Sequence, residues 1–350
     1  MKIKSKPKKI DTTSILLAAA GTGGHIMPAM AVADKLINKK FNIFWAGTPN
    51  GMENRIINKK KMFYISLAIG GFRGKKLISL ISYPIKFALC LIKVMWLIQK
   101  YKISRVLVFG GYISLPVGFA AKLMRKKLFI HEQNTIMGTS NKLLAPFAEK
   151  IFSAFPLKNN QFVNVCGNPI REKIANIKKT ISQDKNKINI LILGGSLGAQ
   201  VINEKIPIIL NKLNKYDVIH QCGKGKKSTI EKLYDKKINV IEFIDDIEKY
   251  YKWADLVIAR SGAMTVAELE QVGLPAIFIP FPFAIDNHQQ KNAEYCVDKG
   301  GALICKQDEI DLKLERMLNK ISLNDCMKMS KKMKSLRHKN AVKEIYNKIK

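Results

Sequence analysis

Four times along the chain, a short run of aliphatic and β-branched residues ends in a glycine-rich break and gives way to helical spacing. This repeat restricts the chain to alternating strands and helices. Residues 15–20 run into Gly21-Thr22-Gly23-Gly24-His25, with a helix expected over about 28–39, and residues 105–109 run into Gly110-Gly111, with a helix near 115–124. Residues 188–193 run into Gly194-Gly195-Ser196-Leu197-Gly198 with a helix to about 213, and residues 255–259 run into Arg260-Ser261-Gly262 with a helix ending near 272. Strands that are apolar along their whole length are covered on both faces, as in parallel sheets sandwiched by helices. The pattern therefore predicts an α/β fold of two doubly wound, Rossmann-like parallel-sheet domains facing a cleft. Its 350 residues suffice for two cores of about 150 residues each.

The joint is expected across 155–187, where Pro156, Asn159, Asn160, Asn168 and Pro169 interrupt both periodicities. The expected domains are 1–165 and 166–350, the last helix packing back on the first domain. The tail, 327–350, reads as one solvated amphipathic helix. In such sheets ligands bind outside the carboxyl ends of the strands, which is where every glycine-rich break falls.

Sixty Lys and Arg against 27 Asp and Glu give a net charge of +33, which admits nucleic acid, anionic membranes or acidic ligands as partners. Only 8 of the 60 are Arg, the side chain that grips phosphate and bases bidentately, so the excess argues weakly for nucleic acid. The six cysteines include no CxxC pair and read as reduced thiols without a zinc or disulfide framework. Basic residues at 2–9 precede only six apolar residues and no cleavage site, so 15–20 is a buried strand and not a signal peptide. Residues 77–98 approach membrane-spanning length, but Lys86 and Lys93 interrupt them, each costing about 3 kcal/mol at bilayer depth. An interfacial helix on an anionic surface, with Tyr83, Phe87 and Trp96 beside the lysines, and a core helix of the first domain are the two readings.

The Gly21–His25 turn offers close backbone approach and helix N-terminal amides to a phosphate or diphosphate. It is not GxGxxG, and no acidic residue follows where a dinucleotide site needs one. His25 is the candidate general base. Gly194 to Gly198 also satisfies GxSxG, so a hydrolase with Ser196, Asp255 or Asp286, and His288 is a rival to phosphate binding by the same turn. Glu268 stands where a carboxylate can accept from a ribose diol, or instead closes a capping box with Thr265. No DxD pair occurs, which argues against a metal-held ligand, and no cofactor is expected.

GTGGHxxPAxAxA, GGYxSxPxxxAA, HEQNxxxGxxNK, GNPxR, GGSxGAxxxN, EFIDD, RSGAxTxAEL, GLPAIxxPxP and DxxQxxNA stand in that order over residues 21–293. Together they closely resemble the MurG family, whose members transfer N-acetylglucosamine (GlcNAc) to a polyprenyl-diphosphate-linked N-acetylmuramic acid (MurNAc). The resemblance implies the GT-B fold and inverting, metal-independent transfer from UDP-GlcNAc to the MurNAc C4 hydroxyl of lipid I. Lipid II would form on the cytoplasmic face of the bacterial inner membrane, with the enzyme peripheral on an anionic surface and no nucleic acid involved. Carried over position by position, UDP-GlcNAc would meet Arg171, Ser196, Ile244, Ala263, Met264, Thr265, Val266, Ala267, Glu268 and Gln289. Thr22, Gly23, Gly24 and Asn134 would meet it from the first domain. His25, Asn134 and Glu268 are the candidate catalytic residues. Leu197 stands where the family often has Gln, and the loop 283–286 is variable, which leaves Gln289 and Gln290 both open for the sugar contact. A GT-B transferase acting on another lipid is the nearest alternative.

Overall fold

The computed structural model describes residues 13–57, 60, 62–70, 77–157, 163–195 and 198–350, without the side chains of 77–81. The chain divides into two units, Met1–Arg171 with Asn340–Lys350, and Glu172–Lys339.

The first unit runs β1 (Ser14–Ala18), α1 (Gly23–Asn38), β2 (Asn42–Gly47), α2 (Met52–Ile57), β3 (Phe63–Ser66), α3 (Leu77–Lys100), β4 (Ile103–Val108), α4 (Ser114–Leu123), β5 (Lys127–Glu132), α5 (Thr139–Leu144), β6 (Lys150–Ser153) and β7 (Val163–Val165). The strands form one parallel sheet in the order β3-β2-β1-β4-β5-β6-β7. Successive side chains of a strand point to opposite faces, and β1 uses both. Leu16 and Ala18 pack with Val94, Leu97 and Val117 of α3 and α4, while Ile15 and Leu17 pack with Val32 and Leu36 of α1. All five residues of β1 are buried as a result.

Helix α1 begins at Gly23, five residues before the expected start at about 28. The glycine loop itself is therefore the helix N-terminus. The tail also differs from expectation, because it is two helices. α3 presents one face to the core through Cys90, Val94, Leu97 and Ile98, and leaves Ile85, Leu89, Ile92 and Trp96 exposed in a stripe along the other.

The second unit runs α6 (Glu172–Ala175), β8 (Ile188–Leu193), α7 (Gln200–Asn211), β9 (Tyr216–Gln221), α8 (Lys227–Glu231), β10 (Asn239–Ile241), α9 (Ile247–Trp253), β11 (Leu256–Ala259), α10 (Ala263–Val272), β12 (Ala276–Phe278), α11 (His288–Asp298), β13 (Ala302–Ile304), α12 (Glu315–Lys320) and α13 (Leu323–Leu336). Its parallel sheet has the order β10-β9-β8-β11-β12-β13. A capping box between Ser322 and Asp325 starts α13. After residues 337–340 the chain returns to the first unit as α14 (Ala341–Ile349), which buries Ile345 and Ile349 beside α1. Those two side chains need an apolar partner, so the end of the tail is docked rather than solvated.

Asp255, fully buried at the start of β11, fixes the segment that enters the second sheet. Lys185 donates to both its carboxylate oxygens (3.1 Å each), Lys179 lies 3.5 Å away and the Asn189 amide donates at 3.1 Å. Burial lowers the pKa of the Lys179 ammonium, and Asp255 opposes that shift. Removing one partner of a buried pair leaves the other charge uncompensated. Asp255→Ala should therefore cost about 3 kcal/mol in urea unfolding; a loss below about 1 kcal/mol, the range of exposed pairs, would contradict this role.

Candidate functional site

In the first unit three strand ends converge. After β1, Thr22 caps α1 in an extended conformation without a side-chain cap bond. Its carbonyl accepts from the amides of His25 (3.1 Å) and Ile26 (3.2 Å). The amides before His25 have no acceptor within the helix, and the helix dipole adds partial positive charge there. Thr22 is exposed, while Gly23, Gly24 and His25 are half-buried. After β4, Gly110 and Gly111 take φ of +84° and +75°. The His25 ring lies against them: a Cβ on Gly110 would stand 3.4 Å from its Nε2 and from Asn141 Nδ2.

After β5, the buried Glu132 organises the third loop. One carboxylate oxygen accepts from the Asn134 amide (3.0 Å) and Nδ2 (3.3 Å), the other from the Gly138 amide (3.0 Å) and Asn141 Nδ2 (2.8 Å). Burial raises the Glu132 pKa and these four donors oppose it. His131 is tied down differently. Its Nε2 faces Gly167 O (3.3 Å), an acceptor, so Nε2 carries the proton and Nδ1 accepts from Gln133 Nε2 (3.1 Å). Burial lowers the His131 pKa to about 4, so it is neutral at physiological pH. Asn168 Nδ2 donates to Gln133 O (3.1 Å), which ties the Gly167-Asn168-Pro169 turn to this loop and sets where the half-buried Arg171 begins.

In the second unit the turn after β8 is braced from the end of the neighbouring β9. Gln221 Nε2 donates to Gly195 O (2.9 Å) and Glu242 O (3.0 Å), joining this turn to the loop that carries Ile244. Only glycine fits at Gly198, where φ is +73° and a Cβ would stand 1.9 Å from Cys222 O. Ser196 and Leu197 lie outside the described residues. α10 starts from an extended Gly262 cap without a side-chain cap bond, so Met264 and Thr265 are in its first turn and Thr265 is not the cap. Glu268 accordingly makes no capping box; its carboxylate accepts from the Tyr251 hydroxyl at 2.8 Å. Ala263, Val266 and Ala267 are buried, and the Val266 amide already donates to Gly262 O (3.0 Å).

Gln289 lies in the first turn of α11, and its Oε1 accepts from the Phe281 amide at 3.0 Å. Gln290 instead donates along its own helix to Glu294 (3.1 Å). Among the described residues Asp255 and His288 do not pair as a hydrolase would need: Asp255 precedes β11, at the amino end of that strand, and is committed to Lys179 and Lys185. His288 Nδ1 is bonded to Ile285 O within its own loop. Sequence reasoning assigned no role to Glu132, Gln221 or Tyr251; for Glu132 the signal was its place in the HEQN motif.

Behind Glu268, Glu270 is buried between α10 and α11 and accepts from the Cys296 thiol (3.6 Å). Burial pushes its pKa up to about 8. The folded chain then holds a proton that the unfolded chain releases above about pH 4.5, so this group's contribution to stability falls as pH rises from there to about 8. Glu270→Gln should gain on the order of 3 kcal/mol over the parent at pH 7 and little at pH 4.5, read by urea unfolding at both. A pH-independent difference would contradict the assignment.

Residues 15–153 match the glycosyltransferase family 28 N-terminal domain and residues 189–347 the glycosyltransferase family 28 C-terminal domain. The chain is 38% identical over 353 residues to a Psychrobacter cryohalolentis protein, with 96% of this chain and 98% of that one covered. That protein is named UDP-N-acetylglucosamine--N-acetylmuramyl-(pentapeptide) pyrophosphoryl-undecaprenol N-acetylglucosamine transferase. A Pseudoalteromonas translucida protein of the same name is 41% identical, with 85% of each chain covered. The crystal structure of Acinetobacter baumannii MurG superposes with a TM-score of 0.84 at 33% identity, covering 96% of this chain and 99% of that one. The calicheamicin glycosyltransferase CalG4, at 9% identity and a TM-score of 0.68, covering 96% of this chain and 98% of that one, shares the fold.

Proposed function

The chain belongs to glycosyltransferase family 28 and has the GT-B fold, and from that premise we propose that it transfers GlcNAc from UDP-GlcNAc to lipid I. The acceptor atom is the C4 hydroxyl of MurNAc, and the products are lipid II and UDP. The observation that carries the donor half is α10, whose first turn carries no side-chain cap and whose Glu268, one turn on, is oriented by Tyr251. A diphosphate suits the first turn and a ribose diol suits the carboxylate. Met264 and Thr265 offer backbone amides, Ala263, Val266 and Ala267 line the same turn, Ile244 meets the base through its backbone, and Ser196 and Arg171 add to the diphosphate contacts.

From the first unit, Thr22, Gly23, Gly24 and Asn134 meet the substrates. His25 takes the C4 hydroxyl proton as that oxygen attacks C1 of GlcNAc from the face opposite UDP. The C1–O bond breaks, UDP leaves with the electron pair, and the configuration at C1 inverts. Amide dipoles aimed at the departing diphosphate stabilise its growing charge without needing to reorganise.

The enzyme works as a peripheral protein on the cytoplasmic face of the inner membrane. Ile85, Leu89, Ile92 and Trp96 form the contact, with Lys86 and Lys100 among them and Phe147 linked through Phe119 to Phe87. Each lysine near an anionic surface adds about 1 kcal/mol.

With a lipid I analogue and EDTA, UDP release from UDP-GlcNAc should depend on the acceptor; release without acceptor, or none from folded protein, would overturn the reading. His25→Ala should lower kcat at least about 100-fold while the KM for UDP-GlcNAc changes little; an unchanged kcat would remove His25 as base. Leu89→Asp, on an exposed position, should abolish co-sedimentation with phosphatidylglycerol vesicles and leave the melting temperature unchanged. Retained binding would place the membrane contact elsewhere.

A further inference from the structure

Arg260 opens the segment that leads into α10, yet its guanidinium serves a different loop. Nη1 donates to the carbonyls of Ile279 and Pro280 (3.0 Å each), Nη2 to Gln307 Oε1 (2.6 Å), and Cζ stands 5.5 Å from the centre of the Phe281 ring. The head group thus binds the two residues that follow β12 and the segment following β13. Its planar fork is suited to several fixed acceptors at once, together with a ring face.

The clamp bears on Gln289 from both sides. Phe281, whose ring stacks on Arg260, donates its amide to Gln289 Oε1 (3.0 Å). Ser261, next to Arg260 in the chain, donates its hydroxyl to Gln289 O (2.8 Å), while Asn292 Nδ2 donates to Ser261 O (3.2 Å). Two segments joined by one guanidinium therefore hold both the backbone and the side-chain oxygen of Gln289. With Oε1 engaged by the Phe281 amide, the carboxamide has its NH2 to offer, and an NH2 can only donate.

We infer that Arg260 is a positioning residue that fixes the Gln289 carboxamide so that its NH2 donates to a hydroxyl or carbonyl oxygen of the transferred sugar. The inference rests on the UDP-GlcNAc reading above. It places the discrimination between nucleotide-sugar and free nucleotide partly in a side chain that touches neither. Lysine keeps the charge but offers one point donor in place of a fork, so Arg260→Lys loosens the clamp without removing the cation. Gln289→Glu keeps an oxygen for the Phe281 amide and removes the NH2.

The test is calorimetric titration of UDP-GlcNAc and of UDP into the parent chain and both variants. Arg260→Lys should weaken UDP-GlcNAc about 5- to 20-fold and leave UDP within about 2-fold, since UDP lacks the sugar. Gln289→Glu should give the same split, and the double variant should be no worse than the more affected single one. Equal weakening of both ligands, or no change in either, overturns the positioning role while the donor reading stands. A parent chain that binds neither UDP nor UDP-GlcNAc overturns the donor reading and the inference together.

Discussion

A helix that starts soon after a parallel strand leaves its first amides without acceptors inside the helix at the carboxyl edge of the sheet, and the functional reading depends on that geometry. In the first unit the break is Gly21 to Gly24, short enough for α1 to begin five residues after β1 ends. In the second it is Arg260 to Gly262, with α10 starting at Ala263. Both starts lack a side-chain cap bond. A capping Ser or Asp would satisfy those amides internally. Without one, an anion is the natural partner of the first turn.

The sheets were legible because their signal is local. Residues 15–20 and 188–193 are continuous apolar runs, and such runs next to glycine mean buried parallel strands whatever else the chain does. Boundaries were less legible. The first helix was expected from about 28, yet Pro28 sits inside α1, because the glycines and His25 before it already take helical conformation. The tail carried one apolar period throughout, and no local pattern marks where it leaves the second unit for the first.

The site was legible in its glycines and in the motif residues, but not in the partners that orient them. Tyr251 reaches Glu268 across 17 residues, Gln221 reaches Gly195 across 26, and Arg260 reaches Gln307 across 47. Contacts of that kind follow from the strand order, so they become visible only once β8, β9 and β11 lie side by side. Glu132 makes the same point at short range. Its four donors come from within nine positions, but nothing in HEQN tells whether a carboxylate faces a ligand or its own loop. The apolar stripe of α3 was ambiguous for another reason, since one helix carries both a core face and an exposed apolar face.

The central claim is that the α10 N-terminus and Glu268 bind the donor without a metal. Hydrogen exchange of the Ala263–Glu268 amides, measured in EDTA with and without saturating UDP-GlcNAc, tests it most directly. The account predicts that exchange there slows on adding the nucleotide-sugar and that UDP alone gives most of the effect. Unchanged exchange at these amides under saturation, or slowing that appears only when a divalent cation replaces EDTA, would contradict it.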